Sequence, residues 1–264
     1  MKYYILFVLL FCIGCVSVPF DSSVSMLLEE LDDSISNRHI IESRKLLALE
    51  NLKKKAKENF PGNRIAVYGK LYKEYLNFDV DSAIFYAMKE ENQAVSDGLS
   101  GAVIDARLNI QSAYNLAGQY VESLRMQNRL DTFRMSNEQK RRYYYNRRVL
   151  YGGLQEGAVI DSIRIAYSNV VNHSIGRMFE LTNKESVDYL FLWANYICDN
   201  GGDAKSCINK IKSRLDEGDL SLHYTAISYY LLSHLYLHID DRQNALKCLA
   251  RSAIFDMSIP VREH

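Results

Sequence analysis

Proline and glycine are scarce in this sequence: 3 Pro and 13 Gly in 264 residues. A sheet protein with many tight turns needs more of both. No stretch of useful length alternates apolar and polar residues, and Val and Ile fall at helical spacing. Net charge is also missing, with 32 basic against 32 acidic residues. That balance gives no electrostatic signature for nucleic acid or an anionic membrane. A phosphate-binding glycine loop, a G-x-S-x-G elbow and a Cys/His nucleophile pair are all absent. The chain therefore reads as all-α and non-enzymatic, with no cofactor and no metal.

The N-terminus carries an export signal. Lys2 precedes an almost unbroken apolar stretch from Tyr3 to Val18. This is short for a spanning helix of ~20 residues and suits a signal peptide. Within it Cys12-Ile13-Gly14-Cys15 resembles a lipobox, although Cys12 stands where an aliphatic residue is usual. Lipidation at Cys15 and ordinary cleavage after Ser17 are the two competing readings. Export bears on the remaining cysteines, because disulfides persist in an oxidising compartment. Cys198 ends one helix and Cys207 opens the next across Gly201-Gly202, so a disulfide and two buried free thiols are the alternatives.

The body of the chain divides into helical segments joined by short turns. Leu27, Leu28, Leu31 and Ile35 mark an opening amphipathic helix, and a Lys-rich helix follows from about Arg38 to Asn59. This gives three parts: a leader at 1–18, N-terminal helices at 19–62 and a repeat array at 63–264. Ser136-Asn137-Glu138-Gln139 and Thr182-Asn183-Lys184-Glu185 both fit the capping box, and Asp79 reads as a further N-cap.

Paired helices call for a repeat search, and the tetratricopeptide unit is a helical hairpin of about 34 residues. The last hairpin matches best. With Tyr236 on the repeat's central tyrosine, Ser233 and Ala245 take the small crossing positions and Asp240 the turn. A second match runs from Ala106 to Leu130, with Tyr114, Gly118, Tyr120 and Ser123 in register. It departs at Arg107 and Gln111, where a large apolar and a small residue are usual. In a weaker unit, Tyr189 to Leu215, bulky Trp193 replaces a small residue and predicts a pair that is splayed or shifted in register. The 19 Tyr against one Trp fit this design, since Tyr fills inter-helix gaps and keeps its hydroxyl near water. The predicted fold is a right-handed α-solenoid of tetratricopeptide-like hairpins, each burying its apolar face only against its neighbours.

Such arrays bind partners on their concave side. The register places Tyr230, His234, Leu237 and His238 there in the last hairpin, and Leu108, Ser112 and Asn115 in the earlier one. The partner expected is a protein or peptide, with no nucleic acid for this chain. His234 and His238 share a helix face, but HLYLH lacks the zincin glutamate. Lys140, Arg141, Arg142, Arg147 and Arg148 are split around one helix and read as a solvated face.

The order of segments also resembles an uncharacterised family of envelope proteins from Gram-negative anaerobes. The likeness rests on the leader, LLEELDDSISNR, the helix ending in LKKKAK, DSAIFYAMKE, and AISYYLLSHLY with SAIFDM. The resemblance implies a membrane-bound regulator: periplasmic tetratricopeptide-like helices, one transmembrane helix, a coiled-coil stretch and a cytoplasmic helix-turn-helix. This chain resembles the periplasmic part only, so DNA binding is not carried over. It ends at Ser258 to His264, where another helix appears to start without room to continue. The expectation is a sensory or interaction module with an uncapped C-terminal end, reaching the membrane only by a lipid anchor or a segment outside this sequence. A lipid-anchored scaffold and a vestigial shortened chain are the alternatives.

Overall fold

The computed structural model describes residues 22–58, 61–130 and 135–259, and over them the chain forms helices joined by short turns. The leader and Cys15 lie outside the described residues. In chain order the helices are α1 (Ser22–Ser36), α2 (Arg38–Glu58), α3 (Pro61–Tyr75), α4 (Val80–Ser96), α5 (Ser100–Leu116) and α6 (Tyr120–Leu130). They continue as α7 (Asn137–Glu156), α8 (Asp161–Leu181), α9 (Val187–Asn200), α10 (Ala204–Asp216), α11 (Leu222–His238) and α12 (Arg242–Met257). No strand occurs among the described residues.

From α3 onward the helices pair as hairpins: α3 with α4, α5 with α6, α7 with α8, α9 with α10, and α11 with α12. Small residues let the helices cross closely. Ser123, Ser233 and Ala245, assigned to the repeat register, are all buried, as is Ala83 of α4. The core runs along the stack in segments. One cluster joins Leu49, Leu71, Ala87 and Ile110, and another joins Phe191, Ile211, Leu232 and Leu235. This is the stacked array expected of repeats that bury apolar surface against their neighbours.

Local chemistry sets the helix starts. Asp79 accepts from the Ser82 amide to cap α4, and Ser136 with Gln139 forms a complete capping box at α7. Pro61 stands at the first position of α3, where a missing amide proton costs nothing. The box expected at Thr182 is not formed. The Thr182 hydroxyl instead donates back to the Met178 carbonyl, and Ser186 caps α9 by accepting from the Tyr189 amide. A hydroxyl at a helix C-terminus finds an orphan carbonyl closer than any free amide.

The two N-terminal helices give the array an unexpected closure. α2 packs on α3, where Leu49 and Ala56 are buried, while α1 packs on α12 at the far end of the chain. The apolar face of the last hairpin, expected to be open, is therefore covered by α1.

Candidate functional site

Three consecutive hairpins contribute to a groove of about 740 Å³. Its walls come mainly from the first helices of those hairpins: Gly69, Lys70, Tyr72 and Lys73 of α3, Leu108, Asn109 and Ser112 of α5, and Arg141, Arg142 and Tyr145 of α7. Leu108 and Ser112, both named from the repeat register, are among the lining residues, with Leu108 fully buried beneath the surface. Lys70, Lys73, Glu138 and Tyr145 are exposed at the groove rim and open to an arriving partner, with Glu138 paired to Arg141.

The groove floor is polar and tightly bonded. Asn109 donates through Nδ2 to Glu90 Oε2 at 2.8 Å, and its Oδ1 accepts from Arg142 at 2.6 Å. Arg142 also pairs with Asp105 at 2.8 Å. This chain of contacts ties α4, α5 and α7 together. Glu90 is buried, and burial pushes its carboxyl up to about 7 although the Asn109 hydrogen bond and the Arg142 charge oppose the shift. Gly69 makes room for it: a Cβ there would stand 2.9 Å from Glu90 Oε1. Beside this chain, Glu91 pairs with Arg107 at 2.7 Å and Arg129 at 2.8 Å. Arg107 therefore departs from the repeat pattern because it answers a buried acid of the preceding hairpin. Fully buried Gln111 faces Gln127 of α6, with its Nε2 3.4 Å from Gln127 Oε1.

The structure corrects the reading of Asn115. Its side chain is buried, donates to the Asn146 carbonyl at 2.9 Å and accepts from Ser123 Oγ. It clamps α5 to α6 and α7 and cannot reach a partner. Asn146 returns the tie by donating to the Leu108 carbonyl at 2.8 Å. Asn115→Ala should lower stability by about 1–3 kcal/mol, because it leaves the buried Ser123 hydroxyl without its acceptor and removes the tie to α7. Urea unfolding measures this loss, and binding in the groove should persist in the folded fraction.

The arginine-rich segment of α7 is likewise not a plain solvated face. Arg141 pairs with Glu138 and Asp188, Arg142 with Asp105, and Arg148 with Asp199. Three of these partners lie on other helices, so the segment pins α7 to α5 and α9.

Tyr230, His234, Leu237 and His238 lie on α11 and do not line this groove. Tyr230 and His234 are half-buried with ring centroids 4.5 Å apart, and burial holds the imidazole pKa below its usual value against the pull of Asp199. Leu237 and His238 are exposed. Cys198, Cys207 and Cys248 are free thiols, and burial pushes Cys207 up to about 12 and Cys248 to about 11. Such thiols stay protonated and unreactive at neutral pH. Trp193 lines a cleft of about 190 Å³ between α9 and α10, with the Lys210 ammonium 4.9 Å from its ring centroid. Among the described residues no group of three or more His, Cys, Asp or Glu is placed to hold a metal ion.

A family model described as the SusR N-terminal TPR domain matches residues 35–264. The chain belongs to this family. No curated protein and no solved structure matches it. The SusR-type TPR domain thus comprises α2 to α12, and nearly all of α1 precedes it. Domains of the TPR class are in general non-catalytic modules that mediate protein–protein interaction. No described helix is long and apolar enough to cross a membrane.

Proposed function

We propose that this SusR-type TPR domain is the partner-binding part of an envelope signalling protein, and that it holds a protein or peptide segment in the groove between α3, α5 and α7. The reading rests on the groove itself. It has a rigid polar floor, apolar walls at Leu76, Leu108 and Met178, and exposed reach from Lys70, Lys73 and Tyr145. Pre-formed clefts with a few fixed polar groups are where ligands bind. A floor whose polar atoms already bond one another loses little entropy on binding. The apolar leader from Tyr3 to Val18 supports a periplasmic location, where a membrane-bound regulator would sample the envelope. Lipid attachment at Cys15 belongs to the same proposal as a second route to the membrane.

Peptides selected from a random display library against the full chain provide the test. Their affinity, read by fluorescence anisotropy, should fall about tenfold or more in Lys70→Glu/Tyr145→Ala, the loss of two contacts each contributing about 1 kcal/mol. Val159→Asp, on an exposed hairpin tip, should leave affinity unchanged. If Tyr230→Ala/His234→Ala abolishes binding and the groove variant does not, the site lies on α11 instead.

A further inference from the structure

The N-terminal helix is bound to the array more as a ligand than as a repeat. α1 packs on α12 and scarcely on α2, to which it is joined through Asn37 alone. Its contact face is a short apolar stripe. Val24 is buried, Leu27, Leu28 and Leu31 are half-buried at helical spacing, and Met26 and Ile35 are left exposed. Its other residues include Glu29, Glu30, Asp32 and Asp33, with no basic residue anywhere in the helix. α12 carries the opposite net charge, with Arg242, Lys247 and Arg251 against a single acid, Asp256; Arg242 pairs with Asp240, and Arg251 bonds the Tyr229 hydroxyl. The shared family domain begins at residue 35, so almost all of α1 is additional to it.

We infer that the outer face of α12 is a docking site for an acidic amphipathic helix, and that α1 occupies this site as a displaceable resident. The partner that fits is a separate helix of the same chemistry. It presents Val or Leu at i, i+3, i+4 and i+7 on one face and carboxylates on the other. Helix-in-groove recognition needs only such anchors. Opposite net charge on the two helices speeds the encounter at long range and makes it salt-sensitive. The tether through Asn37 gives α1 an effective concentration in the millimolar range, so a competitor binds weakly until α1 is released.

A labelled peptide of residues 22–36 serves as the probe, with fluorescence anisotropy as the readout. Full-chain Val24→Asp places a carboxylate at the buried anchor and should release α1. This variant should bind the peptide about tenfold or more tighter than wild type, and the binding should weaken with added salt. Equal binding to both proteins, no binding to either, or dimerisation of the variant through the vacated face would overturn the inference. Hydrogen exchange on the wild type gives a test that does not depend on the variant folding. Excess peptide carrying Met26→Leu, distinct by mass, should speed exchange in α1 and leave α11 and α12 protected. Unchanged exchange in α1, or loss of protection throughout, would count against it. Neither experiment involves Lys70 or Tyr145, so its outcome is independent of the groove.

Discussion

Replacing Glu90 with Gln should raise stability at pH 8 by about 1–3 kcal/mol, on the scale of 1.36 kcal/mol per pKa unit. Burial raises the Glu90 carboxyl to about 7 in the folded protein, against an ordinary value of 4.5. Burial is the main cause, and the Asn109 hydrogen bond and the charges of Arg142 and Lys73 recover only part of it, with Asp105 acting the other way. The folded state therefore holds a proton between about 4.5 and 7 that the unfolded chain releases. Stability falls as pH rises through that window and levels off above the folded value. Gln keeps the shape, accepts from Asn109 through Oε1 and carries no charge. The pH-dependent slope between about 5 and 7 should be flatter in Glu90→Gln when urea unfolding is followed by circular dichroism. An unchanged slope would mean that Glu90 is better solvated than its burial indicates. The same proton bears on the groove, because Glu90 lies in its floor and ties α4 to α5 through Asn109.

What could be read before folding was whatever is local. Asp79 and Ser136 cap helices by bonds to amides three residues on, so the chain segment alone suffices to foresee them. The small crossing residues were legible for a related reason. A hairpin repeats its own register, and Ser123, Ser233 and Ala245 fall at corresponding places. Non-local partners escaped. Arg107 and Gln111 looked like lapses in the repeat until Glu91 and Gln127 appeared opposite them. Asn115 has the spacing of a groove residue, yet two neighbouring helices consume its amide. The floor around Glu90 left no trace because its members come from three helices, and only Asn109 and Asp105 share one. The closure by α1 was least legible of all. Its amphipathic pattern announces a buried face, but a pattern does not name the surface that buries it, and α12 lies at the opposite end of the chain.

Gly153→Ala should destabilise the protein by about 1–3 kcal/mol, the usual cost of overpacking a filled site. Helix propensity alone points the other way, since Ala in a helix interior gains up to about 1 kcal/mol over Gly. Gly153 lies within α7, so that gain applies. The Tyr120 ring decides the sign. A Cβ on Gly153 would stand 2.3 Å from both Cζ and the hydroxyl oxygen of Tyr120, and 2.7 Å from Cε1. Two ring carbons and the hydroxyl oxygen stand inside contact distance, so the Tyr120 ring must leave its packed position or α7 and the start of α6 must shift. Gly152, one residue earlier, has nothing within 4 Å of its Cβ position and is the internal control. Gly152→Ala should be neutral or stabilising by up to about 1 kcal/mol, from propensity alone. The clash also predicts its own suppressor. Tyr120→Leu removes the outer ring atoms, so Gly153→Ala in that background should recover most of the loss. Thermal unfolding of the four proteins in the cycle measures the coupling, which should be about 1 kcal/mol or more for residues in direct contact. Tyr120→Phe should not rescue, because it removes the hydroxyl and leaves the ring carbons in place. Strict additivity in the Leu cycle would show that the ring already yields, and that α6 and α7 are less tightly packed at this point than their geometry implies.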